Sequence, residues 1–125
     1  MKNTKKIKPK TTECYAICQF YEPFVMGGDV WQWRRYKVNA EPISLDRKFK
    51  AFVYHNHITA KWCVHEAGTG GLIGTGRSRK DAIDDANNNI KITPDLEKQV
   101  LALGDTSHFE ETTYEEASRR IAKSA

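Results

Sequence analysis

The sequence predicts an α+β fold, with an antiparallel β-sheet of four to five strands followed by three C-terminal helices packed on one face. Three observations lead to this class. Apolar residues alternate with a period of two through much of the first half of the chain, which is typical of half-buried strands. After residue 78 the apolar residues follow at helical spacing instead. The connections between the predicted strands are short, which favours antiparallel pairing of consecutive strands.

Four strands are expected before the helices: 13–21, 30–38, 48–56 and the strand that carries Trp62. Glycine and proline residues separate the first two strands, and a connection that contains Pro42 separates the second from the third. Residues 56–59 form the turn that leads into the strand of Trp62. Leu72 and Ile73 extend the sheet briefly between glycines.

Capping residues mark the three predicted helices, because side chains of these types satisfy the free amides at a helix start. The helices span 78–90, from Thr93-Pro94 to Gly104, and 114–123, with capping boxes at Ser78–Asp81 and Thr113–Glu116. Threonine followed by proline is a typical helix start, and glycine is a typical end. In the last helix, Tyr114, Ala117 and Ile121 are expected to face inward.

Length and composition are typical of one globular domain of 125 residues. Residues 1–12 contain five lysines and Pro9 and are expected to be a flexible basic tail, which leaves 13–125 as a single α+β domain. No apolar run approaches the ~20 residues that a bilayer-spanning helix needs. The amino terminus has no apolar segment of the kind found in secretory signals. We therefore expect a cytoplasmic protein that does not contact a membrane.

The three cysteines cannot all pair within one chain. Cys14 and Cys18 lie on one predicted strand and would stand roughly 13 Å apart, which is too far for a disulfide. Reduced and mostly buried thiols are the expectation.

The charges of the chain are unevenly distributed. Residues 1–80 hold 15 Lys and Arg against 6 Asp and Glu, whereas residues 81–125 hold 5 against 10. A basic sheet region and an acidic helical region are what a protein with one polyanion-facing side would have. The alternative is two solvated surfaces that attract each other.

The first candidate site is a glycine-rich loop that opens a helix with a basic first turn. Its residues are Gly74, Gly76, Arg77, Ser78, Arg79 and Lys80. Free N–H groups and the helix dipole at such a helix start favour an anion, so these residues are candidates for binding phosphate. The alternative is a tight strand-to-helix turn with solvated charges.

The pattern Gly74-x-Gly76-x-Ser78-Arg79-Lys80-x-Ala82-x-x-x-Ala86 resembles the C-terminal part of double-stranded-RNA-binding domains. In that family a G-x-G-x-S-K-K-x-A run closes the sheet and opens a helix. The resemblance implies that Arg79 and Lys80 contact phosphates across a groove. Ile83 stands where the family tends to have another lysine, Asp84 and Asp85 add acid nearby, and no helix precedes the first strand. The strand–loop–helix shape also resembles the HicB antitoxin fold, a partial version of that domain.

A second candidate site lies on the strand with the sequence WQWRRY. Strand alternation places Trp31, Trp33 and Arg35 on one face and Arg34 on the other. An outward row of this kind would stack bases on Trp31 and Trp33, while Arg34 and Arg35 add positive field. The alternatives are that both tryptophans belong to the core, or that the row is a hot spot for a protein partner.

A third group consists of His55, His57, Cys63 and His65, gathered around one predicted hairpin. Their types suit zinc, but their spacing matches no known finger or ribbon, and whether His55, Cys63 and His65 bind a metal stays open. A Cys63–His65 nucleophile pair lacks an acid placed to orient it. We therefore expect no cofactor and no catalytic residues.

Together these features predict a non-enzymatic binding protein for a phosphate-bearing ligand, either nucleic acid or a nucleotide. The alternative is an inhibitor or adaptor that blocks a host defence or toxin protein, because a short single domain without catalytic residues is typical of phage or mobile-element accessory proteins. Pairing of an edge strand with a second copy, giving a homodimer, also stays open.

Overall fold

The computed structural model describes residues 10–24 and 28–124. For residues 21–24, 28–31 and 124 only the course of the backbone is described. Residues 1–9 of the predicted tail and the side chain of Trp31 therefore lie outside the described part of the chain.

One curled sheet contains all the described strands: β1 (Thr12–Phe24), β2 (Gly28–Ser44), β3 (Lys50–Asn56), β4 (Lys61–Glu66), β5 (Leu72–Gly76) and β6 (Glu110–Glu111). The strand order is β1-β2-β3-β4-β5, and every neighbouring pair is antiparallel. β6 differs, because it pairs in parallel with β2. The predicted α+β class and its antiparallel sheet are confirmed.

β2 is longer than the sequence predicts, because residues 39–44 continue the strand through Pro42. This segment pairs with β3 from Glu41 to Ser44. β1 begins at Thr12, which pairs with Ala40, so residues 41–44 of β2 have no β1 partner on their other edge. Proline has no N–H to donate and is tolerated on such an unpaired edge. The interpretation of this segment as a connection is therefore wrong.

Three helices follow β5: α1 (Arg79–Ile92), α2 (Leu96–Leu101) and α3 (Tyr114–Ser124). They do not form an uninterrupted C-terminal block, since β6 lies between α2 and α3. α2 begins after Asp95 and not at Pro94, because Thr93 is the C-cap of α1 and a turn, closed by the Leu96 N–H and the Thr93 carbonyl at 2.9 Å, separates the two helices. Within the described part of the chain, no helix is long and apolar enough to cross a membrane.

The helices cover both faces of the sheet, so the prediction that all three pack on one face is wrong. One core cluster joins Ala51, Val53, Val64 and Ile73 of the strands to Ala82, Ala86 and Ile90 of α1, and we call this side the helix face. The second cluster joins the alternate residues Phe52, Tyr54 and Cys63 to Ala117 of α3, and we call this side the cavity face. Both sides of β3 and β4 are apolar, and each side therefore needs its own cover.

The β1–β2 hairpin supplies the rest of the cover on the cavity face. Ala16, Cys18 and Tyr36 belong to the same cluster as Phe52 and Tyr54. The sheet curls until β1 meets the turn after β4, where the Ile17 N–H donates to the Gly70 carbonyl at 3.0 Å. Among the described residues no ladder pairs β1 with β5, and residues of both strands line the gap between them.

Candidate functional site

Helix α1 occupies the space beside the glycines of the candidate loop. A Cβ added to Gly74 would lie 2.6 Å from the Ala86 nitrogen, and one added to Gly76 would lie 2.5 Å from the Ala82 nitrogen. No side chain fits in either place, since these are backbone atoms of α1. The two glycines let α1 lie directly on β5, so the side of each glycine that a Cβ would occupy is not open to a ligand.

Ser78 caps α1 as the sequence predicts. Its Oγ accepts a hydrogen bond from the Asp81 N–H at 3.0 Å, and the first bond within the helix runs from the Ala82 N–H to the Ser78 carbonyl. The amides of Arg79 and Lys80 precede that bond, and both residues are exposed. The start of α1 therefore presents free donors and a positive dipole end to solvent.

The basic side chains at this helix start differ in their partners. Arg79 donates two hydrogen bonds to the Glu41 carboxylate of β2, at 3.0 and 2.7 Å. Lys80 contacts Asp84 one turn along α1 at 2.6 Å, and both side chains are largely exposed. Arg77 is exposed in the turn before the helix, and no ion pair holds it within the described part of the chain. Arg77 and Lys80 are thus the more available charges.

An aromatic pair lies on the helix face beside this helix start. The rings of His55 on β3 and Trp62 on β4 are 5.3 Å apart, with His55 exposed and Trp62 half-buried. Trp62 pairs across the ladder with Gly76, two residues before Ser78. Sequence reasoning assigned His55 to a possible metal site and did not find this pair, because the local pattern predicts the hairpin of β3 and β4 but not the register that places His55 opposite Trp62.

The candidate residues of β2 do not join the helix start. Arg34 and Arg35 lie at least six residues from Glu41, the β2 partner of Arg79, or about 20 Å along an extended strand. Arg34 is paired with Gln32 and Glu110, whereas Arg35 lies over the Tyr15 ring and donates to the Ser107 carbonyl at 2.7 Å.

Trp33 is only 36% exposed and stacks on Phe109, with ring centroids 5.7 Å apart. Its ring therefore already has a partner within the chain. The side chain of Trp31, the other predicted stacking residue, lies outside the described residues. The structure does not bring a row of free stacking surfaces together on the described part of β2.

A cavity of about 720 Å³ opens in the gap between β1 and β5. Its deep end is lined by Cys18, Tyr36, Tyr54, Cys63 and His65. Its rim includes the exposed apolar side chains of Leu72 and Ile121. The prediction that Ile121 faces inward is thus only partly right, because this residue is 39% exposed at the cavity mouth.

A chain of hydrogen bonds runs along the deep end of this cavity. The His65 Nδ1 lies 2.7 Å from the Gly70 carbonyl and its Nε2 lies 3.2 Å from the Tyr54 hydroxyl. The Tyr54 and Tyr36 hydroxyls are 2.7 Å apart. Burial lowers the pKa of His65 to about 4, although the bond to Gly70 opposes that shift. The imidazole is therefore neutral at physiological pH.

The third predicted group is divided between the two faces. Cys63 and His65 face the cavity, whereas His55 points to the helix face beside Trp62. Within residues 10–24 and 28–124, no three His, Cys, Asp or Glu side chains are placed to hold a metal ion. The reason is the strand alternation, which turns His55 away from Tyr54 and from the cavity.

The pKa shifts of the cavity thiols are opposite to those of activated nucleophiles. Burial raises the pKa of Cys63, and it raises the pKa of Cys18 to about 11 despite the nearby Arg34 and Arg120. All three cysteines are free, as the sequence predicts, and Cys18 and Cys63 are buried. An activated thiol would instead need a lowered pKa.

Comparison with known proteins returns no relative for this chain. No family model matches it. Searches of curated proteins and of solved structures also find no match. The resemblance of residues 74–86 to double-stranded-RNA-binding domains therefore rests on those residues alone.

Proposed function

We propose that this chain is a non-enzymatic protein that binds a phosphate-bearing ligand at the start of α1. The observation that carries the proposal is the grouping of Arg77, Arg79 and Lys80 around a capped, exposed helix start beside the His55–Trp62 pair. Free amides, a positive dipole end and the charges of Arg77 and Lys80 act on an anion in the same direction, whereas the charge of Arg79 is paired with Glu41. The aromatic pair adds a surface on which a base or sugar can pack.

A nucleic acid fits this surface better than an isolated nucleotide. The glycine loop offers no cradle for the phosphates of a nucleotide, because α1 fills the space above Gly74 and Gly76. The basic side chains lie on an exposed surface, which suits the repeated phosphates of an extended polyanion. The excess of basic residues over residues 1–80 would add long-range attraction for such a ligand.

Two ion pairs at the site must be weakened or broken before their cations can bind phosphate, and the two pairs differ in strength. Lys80 and Asp84 are both exposed, and such surface pairs contribute about 0.5 kcal/mol or less, so a phosphate can displace Asp84 readily. Arg79 is held by two hydrogen bonds to Glu41, and we expect it to position the helix start more than to contact phosphate. Arg77 and Lys80 are the proposed phosphate contacts.

The test is fluorescence anisotropy with labelled duplex RNA, single-stranded RNA and duplex DNA at several salt concentrations. One of the three should bind with a steep salt dependence. The variant Arg77→Ala/Lys80→Ala should reduce the slope of log affinity against log salt by about 1.4 to 1.8, because each lost phosphate contact removes about 0.7 to 0.9.

The matched control is Lys91→Ala/Lys98→Ala, which removes the same charge from two exposed positions away from the helix start. This control should keep most of the affinity and the full slope. Equal losses in both variants would mean that net charge alone attracts the ligand, and no binding at ~50 mM salt would exclude nucleic acid.

A second candidate function is that of an inhibitor or adaptor that binds another protein. The observation that favours it is the exposed acidic group formed by Glu110 and Glu111 of β6 and Glu115 of α3. A protein that normally binds nucleic acid could accept such a surface. Changing Glu111 and Glu115 of this group to lysine should abolish this activity and leave binding at the start of α1 intact.

A further inference from the structure

The cavity between β1 and β5 has the size and lining of a ligand site. Its volume of about 720 Å³ lies within the range of small-molecule pockets, about 300 to 1,000 Å³. Its strand lining belongs to the cavity face, whereas Leu96 and Val100 of α2 reach it from the helix-face cluster. None of residues 77–80 at the start of α1 is among its described lining residues. The phosphate-binding proposal makes no use of this space.

The direction of the hydrogen bonds at its deep end follows from what each atom can donate. The Gly70 carbonyl only accepts, so His65 donates from Nδ1. The neutral ring has one proton, so its Nε2 accepts the proton of Tyr54. The Tyr54 oxygen must then accept from Tyr36. Tyr36 has no proton left, and its oxygen keeps a free lone pair at the end of the chain.

The side chains at the deep end carry no charge. Tyr36, Tyr54 and His65 are each at most 5% exposed, and the buried thiols of Cys18 and Cys63 are protonated at neutral pH. Among the described lining residues only Lys61 is charged, and it is exposed. A charged ligand would lose its hydration here, and that loss is costly, because the guanidinium groups nearest to Cys18, those of Arg34 and Arg120, are not among the described lining residues.

We propose that this cavity binds a small, uncharged, largely apolar molecule that donates one hydrogen bond to the Tyr36 hydroxyl oxygen. The apolar rim and the Tyr54, Cys18 and Cys63 side chains contact the body of the ligand. The single acceptor at the deep end fixes its orientation. This site is independent of the proposed nucleic-acid surface, and either can fail without the other.

The probe for this site is N-phenyl-1-naphthylamine, which is uncharged and apolar, has one N–H donor and becomes fluorescent in an apolar environment. We expect saturable binding of one probe per chain. The corresponding ether, 1-phenoxynaphthalene, has the same shape without the donor and should compete about tenfold less well, which is the effect of one buried hydrogen bond. The anionic 8-sulfonate of the probe should bind at least tenfold more weakly than the amine.

Two variants test the position of the ligand. Thr75 is half-buried, lines the cavity and lies opposite Cys63 in the ladder, so Thr75→Trp should fill the cavity and abolish saturable binding. Leu101→Trp adds the same ring at an exposed position outside the cavity lining and should leave binding unchanged. Tyr36→Phe should remove the preference for the amine over the ether while retaining apolar binding.

The proposal is overturned if the probe does not saturate, if Thr75→Trp and Leu101→Trp bind it equally well, or if the sulfonate binds best. It is also overturned if Tyr36→Phe keeps the preference for the amine. Circular dichroism of each variant checks that the fold is retained. If Thr75→Trp does not fold, the Tyr36→Phe comparison alone decides, because it removes a single oxygen atom.

Discussion

The helix face and the cavity face of the same strands are covered in different ways. On the helix face, α1 lies so close to β5 that Gly74 and Gly76 have no room for a Cβ. On the cavity face, the curled β1–β2 hairpin, α2 and α3 leave about 720 Å³ open above a buried, hydrogen-bonded chain of Tyr36, Tyr54 and His65. Close packing leaves no room for a ligand between α1 and Gly74 or Gly76, so a ligand there can reach only the exposed start of α1. The second face retains space in its interior.

The largest effect is expected where the packing is closest. Gly74→Ala would place a Cβ 2.6 Å from the Ala86 nitrogen and should lower the free energy of unfolding by about 3 kcal/mol, since backbone must move. Gly104→Ala is the matched control, because nothing lies within 4 Å there and only its φ of +65° is strained, at a cost of about 1 kcal/mol. Urea unfolding measures both. Equal costs would contradict the account of close packing.

The buried imidazole of the cavity face makes stability depend on pH. The pKa of His65 is about 4 in the folded protein and about 6.5 when unfolded, so its contribution is complete above pH 6.5 and is lost as the pH falls towards 4. The loss should reach about 3 kcal/mol. His65→Gln should remove this part of the slope, whereas the exposed His108→Gln should not. Identical pH profiles for the two variants would show that His65 is not buried as a neutral group.

A smaller effect is expected at the turn that ties β3 to α3. Asn56 is 1% exposed; its Oδ1 accepts from the Ile58 and Thr59 N–H groups, and its Nδ2 donates to the Ser118 Oγ at 2.8 Å. Asn56→Ala leaves these groups unpaired and should cost about 2 kcal/mol in thermal or urea unfolding. Asn88→Ala, at an exposed position of α1, is the control and should cost almost nothing. A similar loss of stability in both variants would mean that the Asn56 hydrogen bonds do not stabilise the fold beside the cavity.

The smallest effect concerns the exposed edge of the helix face. Glu41→Gln releases Arg79 from its carboxylate partner and removes a negative charge from the proposed phosphate surface. Stability should change by less than about 0.5 kcal/mol, because the Arg79 side chain is 44% exposed. Affinity for the nucleic acid should rise about threefold, as expected for the loss of one competing surface charge. A fall in affinity would mean that Glu41 helps to form the site.

Local patterns predicted the parts of the fold that depend on neighbouring residues. The caps at Ser78 and Thr113, the strand alternation and the glycine after α2 were all readable, because each involves residues a few positions apart. The same patterns predicted the basic helix start at Arg77–Lys80 as a candidate site. They assigned its glycines to a ligand, because the sequence does not give the distance from Gly74 to Ala86.

The parts that could not be predicted depend on long-range pairing. The chain from Gly70 through His65 and Tyr54 to Tyr36 joins residues from three strands and a turn, and it forms only when the hairpin folds over the sheet. The sequence also gave no sign that α1 and α3 cover opposite faces, since both are amphipathic. The prediction that Pro42 marks a connection is wrong for a related reason. Proline fits in β2 only because the strand edge on its β1 side is unpaired there, and this depends on where β1 begins.

The proposed function is tested most directly by two-dimensional NMR of the ¹⁵N-labelled protein titrated with duplex RNA. The account predicts that shifts concentrate on the amides of residues 77–81 and on the indole N–H of Trp62, while signals of Tyr36, Tyr54 and His65 stay in place. Shifts concentrated on residues 33–37 would contradict it, because they would place the ligand on β2. An unchanged spectrum at low salt would show that the start of α1 does not bind duplex RNA.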